Sequence, residues 1–393
     1  MTQVLRALAL ALLVSSPAAA QSSGAAGADS TDLGFVARLR AWVRDTQILE
    51  RLNGEVNGWY PRVGGITRGS GLAGGPGYRV PLFDEALFLD LSGAMSIKGY
   101  KALDVRARWL RIWRERLEFW TEIRYEDFPQ EDFFGIGMSS APGMRTSYDF
   151  DSVEVLTRAV LAPRPWARLT GTVALITPDV GSGTDDRYPS IEERFGDGDA
   201  PGLRHQPAFL YVTLAAGIDT RSTRGNPASG GIYRASYGRW NDIDLDAFDL
   251  RRLDLHAMHF VPITPGRAHV LSGRLGARSV APADGRRIPF YALAYVGGMD
   301  TVRSLQEFRF QDAHALWASA EYTWRPRSYL SVAYFADAGQ AHARRHDISR
   351  AAIRTGHGIG VGLHSSSRTI VRVDAGTGAG EGWQVFVAFR PDF

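Results

Sequence analysis

The 393 residues contain no cysteine. That excludes a disulfide framework, cysteine-ligated zinc and thiol catalysis. Lysine is nearly absent too: Lys98 and Lys101 are the only two, and arginine carries the rest of the basic charge. Arginine forks suit a polar cavity lined with carboxylates, although GC-rich codon usage gives the same composition. No run of eighteen apolar residues follows the N-terminus, which excludes membrane-spanning helices. Charge of one sign is also missing. Lys+Arg number 45 against 42 Asp+Glu, and a net +3 is too small and too dispersed to imply nucleic acid as a partner. What the chain has is glycine, 43 residues, and aromatics, with 10 Trp, 14 Tyr and 19 Phe. A composition of 45% apolar and 22% charged residues is not that of a disordered chain.

Residues 1–20 read as a secretory signal peptide. Arg6 lies in a short basic region, Ala7 to Val14 form an apolar stretch too short to span a bilayer, and Ala18, Ala19 and Ala20 give a small-residue cleavage pattern. Residues 21–31 are a small-residue linker. Asp32 can cap a helix over 32–53, whose apolar stripe includes Phe35, Leu39, Trp42 and Leu49.

Beyond that helix the chain alternates with period two. In 116–126, Leu117, Phe119, Thr121, Ile123 and Tyr125 face one way; Glu118, Trp120, Glu122, Arg124 and Glu126 face the other. Segments 366–375 and 382–393 repeat the design. Others lie near 58–66, 71–80, 86–97, 101–112, 147–161, 166–177, 207–219, 229–238, 249–262, 267–279, 312–324, 329–339 and 356–365, sixteen in all. A soluble sandwich also alternates. Strands of about ten residues, however, match a tilted bilayer crossing. Aromatics gather at strand ends (Trp59, Tyr60, Tyr125, Trp166, Tyr322, Trp324, Trp383), where interfacial girdles sit. Tight connections such as 162–165 and 264–266 alternate with long ones at 127–146, 178–206, 280–311 and 340–355. The pattern predicts a 16-stranded antiparallel outer-membrane β-barrel over 58–393, all-β and transmembrane, preceded by a short amphipathic helix. The lipid bilayer is its first partner, and both termini are expected in the periplasm.

Pro289-Phe290-Tyr291, followed by Gly297-Gly298 and Val302-Arg303-Ser304-Leu305, resembles the sixth external loop of the BamA/TamA surface-antigen superfamily, also called the bacterial outer-membrane protein 85 superfamily. Next come Ser319, Glu321 and Tyr322, then Phe335, Asp337 and Gly339, in the family's order. Phe133 to Gly137, Gly217 to Arg221 and Pro227 to Gly230 are further matches. Two departures stand out. Ser304 and Leu305 replace a glycine and an aromatic, which is expected to weaken the loop's bend and packing. Only residues 21–57 separate the signal peptide from the first strand, too few for the polypeptide-transport-associated repeats.

The resemblance implies that Arg303 locks the sixth loop against Glu321 and Asp337 on the inner wall. Both carboxylates sit on the polar phase of their strands, so a charge-assisted pair is sterically reasonable. The plainer reading is three independent, solvated charges. It further implies a lateral seam between the first and last strands, at Val63, Gly64 and Gly65 against Val385, Val387 and Phe389. Seven glycines and Pro76 fall among residues 64–77, which softens pairing there; curvature or close packing would also use them. Phe389 and the terminal Phe393 resemble the C-terminal signal read by the barrel assembly machinery, the partner for this chain's own insertion. The N-terminal helix would plug the barrel mouth, lie on the membrane face, or have no gating role.

No catalytic constellation, cofactor motif or metal site stands out, so no enzyme activity is expected. His342 and His346 have the spacing of a helical zinc pair but lack the following Glu and fall in an arginine-rich external loop. The favoured function is insertion or translocation of a protein or lipid client at the outer membrane. A passive pore or structural barrel with a charged lumen is the alternative.

Overall fold

The computed structural model describes residues 57–389 apart from 68, 345 and 366–368. The segments read as signal peptide, linker and helix, with Phe35, Leu39, Trp42 and Leu49, lie outside the described residues, as does Phe393. The strands are β1 (Gly58–Gly64), β2 (Ala73–Leu82), β3 (Leu87–Ser96), β4 (Lys101–Arg111), β5 (Leu117–Phe133) and β6 (Thr146–Arg164). They continue with β7 (Ala167–Ser182), β8 (Phe209–Asp219), β9 (Gly230–Asp242), β10 (Leu250–Pro262), β11 (His269–Pro282), β12 (Ala294–Val296) and β13 (Phe310–Asp312). The last are β14 (His314–Arg327), β15 (Leu330–His342), β16 (Arg354–His364), β17 (Thr369–Gly378) and β18 (Trp383–Phe389). Sixteen pair as antiparallel neighbours in chain order; β12 and β13 form a separate ribbon inside the loop between β11 and β14. All sixteen predicted segments correspond to a strand of this nearly closed barrel.

The barrel is inside-out relative to a water-soluble protein. Leu91, Leu103, Ile123, Val173, Leu214, Leu275, Val361 and Val385 point outward and are exposed. Asp104, Glu122, Thr172, Ser272, Ser331 and Asp337 are buried in the lumen. Exposed apolar area this continuous needs a nonpolar surrounding. The lumen charges pair across strands: Asp104 binds Arg62 and Arg124, and Glu122 binds Arg106 and Arg124. Trp59, Trp166, Tyr322 and Trp324 stand outward at the short-turn end, with Tyr125 and Trp383 further up the wall. Tyr60 departs from this expected girdle. It turns inward and donates to Asp90 Oδ1 at 2.6 Å, because its strand phase is that of Arg62.

Strands β5, β6 and β7 span 17, 19 and 16 residues, well beyond the expected 116–126, 147–161 and 166–177. Apolar alternation stops where the wall meets water, but backbone pairing does not need it. A register shift between Phe128 and Glu131 absorbs Pro129, whose missing N–H would otherwise interrupt the ladder.

Among the described residues no ladder joins β1 to β18, so the sheet has two edges. They approach at Gly64, where an added Cβ would lie 3.8 Å from that of Phe389. Val63, Val385 and Val387 face outward along these edges. Two of the nearby glycines are required by close approach: a Cβ at Gly75 would meet Gly93 O at 2.0 Å, and one at Gly77 the Tyr60 ring at 2.2 Å.

Candidate functional site

Loop six, residues 283–313, folds into the lumen from the long-loop end. Phe290 is fully buried; its N–H donates to Pro201 O at 2.9 Å, and its ring packs edge-on to Phe133 and Tyr148. The β12–β13 ribbon then carries the chain to a tight tip at Gly297 and Gly298 (φ +128° and +90°). A Cβ would strike Gln306 O at 2.1 Å from Gly297 and the Glu307 carboxylate at 1.9 Å from Gly298, so only glycine fits. Thr301 Oγ1 closes the tip, accepting from Gly297 N and donating to Gly297 O.

The tip delivers Arg303 to the inner wall. Its Nε and Nη2 donate to Asp337 Oδ2 and Oδ1 at 2.9 and 2.8 Å, and its backbone N–H also reaches Asp337 Oδ2 at 2.9 Å. Nη1 donates to Glu321 Oε2 at 2.7 Å, and Nη2 to Ser319 Oγ at 2.8 Å. The guanidinium lies 3.6 Å from the centroid of the Phe335 ring, within cation–π range. Arg372 forms a second fork on Glu321 at 3.0 and 2.8 Å, and its Nε reaches Asp374 Oδ1 at 2.9 Å. Two arginines thus bridge three carboxylates. In such a buried network the loss of one member leaves charge uncompensated, at a cost of about 3–5 kcal/mol.

Strand β16 makes room for this cluster. Gly356, Gly358, Gly360 and Gly362 share one phase, and added Cβ atoms would meet Ser304 Oγ, the Phe335 ring and the Asp374 carboxylate from the first three, at 1.8, 2.4 and 2.2 Å. Gly376 on β17 similarly gives way to the Arg303 carbonyl. Ser304 and Leu305 are fully buried rather than loosening the loop: Ser304 occupies the space beside Gly356, and Leu305 joins Val280, Val296, Val302 and Phe310 in an apolar cluster. Sequence reasoning brought Glu321 and Asp337 to Arg303 but left Arg372 and Asp374 on a separate strand. The run of alternate glycines at 356–362 was the available signal, since a wall stripped of side chains lets its neighbours converge.

Other loops hold loop six from above. Gly137 N donates to Gln311 O at 2.7 Å, and Arg309 reaches Ser140 O at 2.9 Å and Glu381 at 2.5 Å. Arg287 pairs with Asp197 of loop four at 3.0 Å. Burial alone would raise the Asp197 pKa, but Arg287 and backbone N–H groups hold it below the ordinary carboxylate range.

From below, the turn at 220–229 crosses to the opposite wall. Gly225 O accepts from Thr369 N and Oγ1 at 2.9 and 3.0 Å, while Pro227 O accepts from Arg325 Nη2 at 2.6 Å. Between this floor and the loop-six roof lies a cavity of about 440 Å³, bordered by Asn226 and Pro227 at one end and by Met299, Asp300, Thr301 and Arg303 at the other.

The expected external pair His342 and His346 is not brought into a site. His342 is the last residue of β15, buried, with its ring 5.4 Å from that of His314; His346 is exposed beside Asp347. A strand cannot present i and i+4 residues as a helix does.

Comparison with solved structures finds the same barrel elsewhere. BamA from Haemophilus ducreyi lacking POTRA domains 1–3 aligns with a TM-score of 0.62 at 13% identity, over 84% of this chain and 69% of that one. CdiB from Acinetobacter baumannii gives 0.51 at 12% identity, covering 84% and 58%. CdiB from Escherichia coli gives 0.53 at 14%, covering 84% and 62%, so this chain spans less than two thirds of either CdiB. These identities establish a shared fold. No curated protein matches the sequence significantly. The Omp85 superfamily domain is recognised at residues 205–376, from before β8 into β17, which includes loop six, Arg303, Glu321, Asp337 and Asp374. Residues 205–376 of this sixteen-stranded barrel thus carry an Omp85 superfamily domain.

Proposed function

We propose that this barrel resides in the bacterial outer membrane, short turns and both termini toward the periplasm, and assists insertion or translocation of a protein or lipid client there. The observation that carries the reading is the pairing of a locked loop six with unpaired edges on β1 and β18. Arg303 fixes the loop against β14 and β15, leaving the seam at Gly64 and Phe389 as the weakest line of the wall. On this reading the seam is a lateral gate at which a client strand or a lipid exchanges. Such exchange needs a wall that is rigid on one side and soft on the other.

A passive pore is disfavoured by loop six and the 220–229 turn, which border the lumen cavity from above and below and narrow the way through it. The deciding experiment is depletion of the protein followed by outer-membrane proteomics and lipid analysis. Loss of particular membrane proteins or lipids is expected; a defect confined to small-solute uptake would instead identify a pore.

A further inference from the structure

The lumen is divided by charge. Along β1–β5 its arginines have carboxylate partners: Arg62 and Arg124 on Asp104, Arg79 on Asp90, Arg106 on Glu122. The cavity between loop six and the 220–229 turn is different. Its lining carries Arg234, Arg274, Arg278, Arg303, Arg325 and Arg372 against Asp254, Asp300, Glu321 and Asp374. Adding Asp337 behind Arg303 still leaves positive charge in excess.

Two of these arginines have only neutral partners. Arg274 donates to the carbonyls of Met299 and Thr301 at 3.5 and 3.3 Å. Arg325 donates to Pro227 O at 2.6 Å, and its buried Nε has no partner. Among the described residues no carboxylate lies within ion-pair distance of either. A guanidinium held out of water without a counter-charge is costly, and a bound anion removes that cost. The two are far apart. Arg274 pairs in register with Ser319, six residues along β14 from Arg325, so roughly 20 Å separates them and one small anion cannot serve both.

We propose that the floor of this cavity is an anion-binding site that takes a phosphate-class oxyanion at Arg325. The Nε edge of the guanidinium supplies a directional donor suited to a phosphate oxygen, and Asn226 adds an amide to the same lining. The oxyanion is either free or the headgroup of an amphiphile, and both present the same chemistry to Arg325. This assignment does not depend on any client-handling role of the barrel.

The test uses the full chain refolded in non-ionic detergent, titrated at constant ionic strength while its unfolding temperature is followed. Inorganic pyrophosphate forms one arm and dihexanoylphosphatidic acid the other. A saturable rise is expected in at least one arm, and saturation by the amphiphile alone assigns a headgroup. In Arg325→Gln the affinity falls about tenfold or more, as loss of a charge-assisted hydrogen bond requires. Arg267→Gln, at an exposed arginine in the β10–β11 turn, leaves it unchanged. If Arg325→Gln does not refold, Arg325→Lys keeps the charge, loses the fork and shows the same direction of change. No saturable rise in either arm, or unaltered affinity in the Arg325 variants, overturns the assignment.

Discussion

At Arg303 one side chain makes five hydrogen bonds shorter than 3 Å if its backbone N–H is counted, and four of them end on two carboxylates. Replacing it with alanine strands Asp337 and Glu321 in the lumen. The Arg303→Ala barrel is expected to unfold at a clearly lower temperature, with a loss of about 3–5 kcal/mol. Heat-modifiable gel migration or calorimetry of the refolded protein reads this directly, and unchanged melting would mean the charges act independently. Ser304 offers a finer probe. Because a Cβ on Gly356 would sit 1.8 Å from Ser304 Oγ, Gly356→Ala should destabilise by about 1–3 kcal/mol. Ser304→Gly should restore most of that loss. A double-mutant cycle measures the coupling, and additive effects would contradict the steric pairing.

Among the elements, the strands were the most legible in the sequence, because alternation of lipid-facing and lumen-facing residues is forced on every membrane-embedded strand. The upper parts of β5, β6 and β7 were hidden, since Glu126, Asp127 and Pro129 resemble loop residues once no lipid demands an apolar face. Glu321 and Asp337 could be assigned to the lumen by phase alone. Arg372 and Asp374 could not be joined to them, because that depends on how far β16 lets β15 and β17 converge. The floor was missed for a similar reason: nothing in the residues 220–229 shows that Gly225 and Pro227 reach Thr369 and Arg325. That turn yields its own prediction. Replacing 223–228 with a two-glycine link should open the lumen cavity downward and raise single-channel conductance in planar bilayers. Equal conductance of the two proteins would show that the turn closes nothing.

For the whole molecule, the opposed properties of its two faces explain the composition. A wall that is apolar at alternate positions needs only a moderate apolar fraction, while arginine forks and glycines serve the crowded inner side. The same wall is uneven around its circumference. Long ladders bind β5 to β6 and β6 to β7, whereas the edges at β1 and β18 meet without a ladder among the described residues. Mechanical weakness is therefore concentrated where the proposed function requires it. The absence of native cysteine makes this seam open to a clean covalent test. A Cβ at Gly64 would lie 3.8 Å from that of Phe389, within the span a disulfide accepts. Gly64→Cys with Phe389→Cys, introduced into depleted cells, should fail to restore the outer-membrane proteome when oxidised and restore it when reduced. Full restoration by the oxidised, cross-linked protein would contradict the lateral seam.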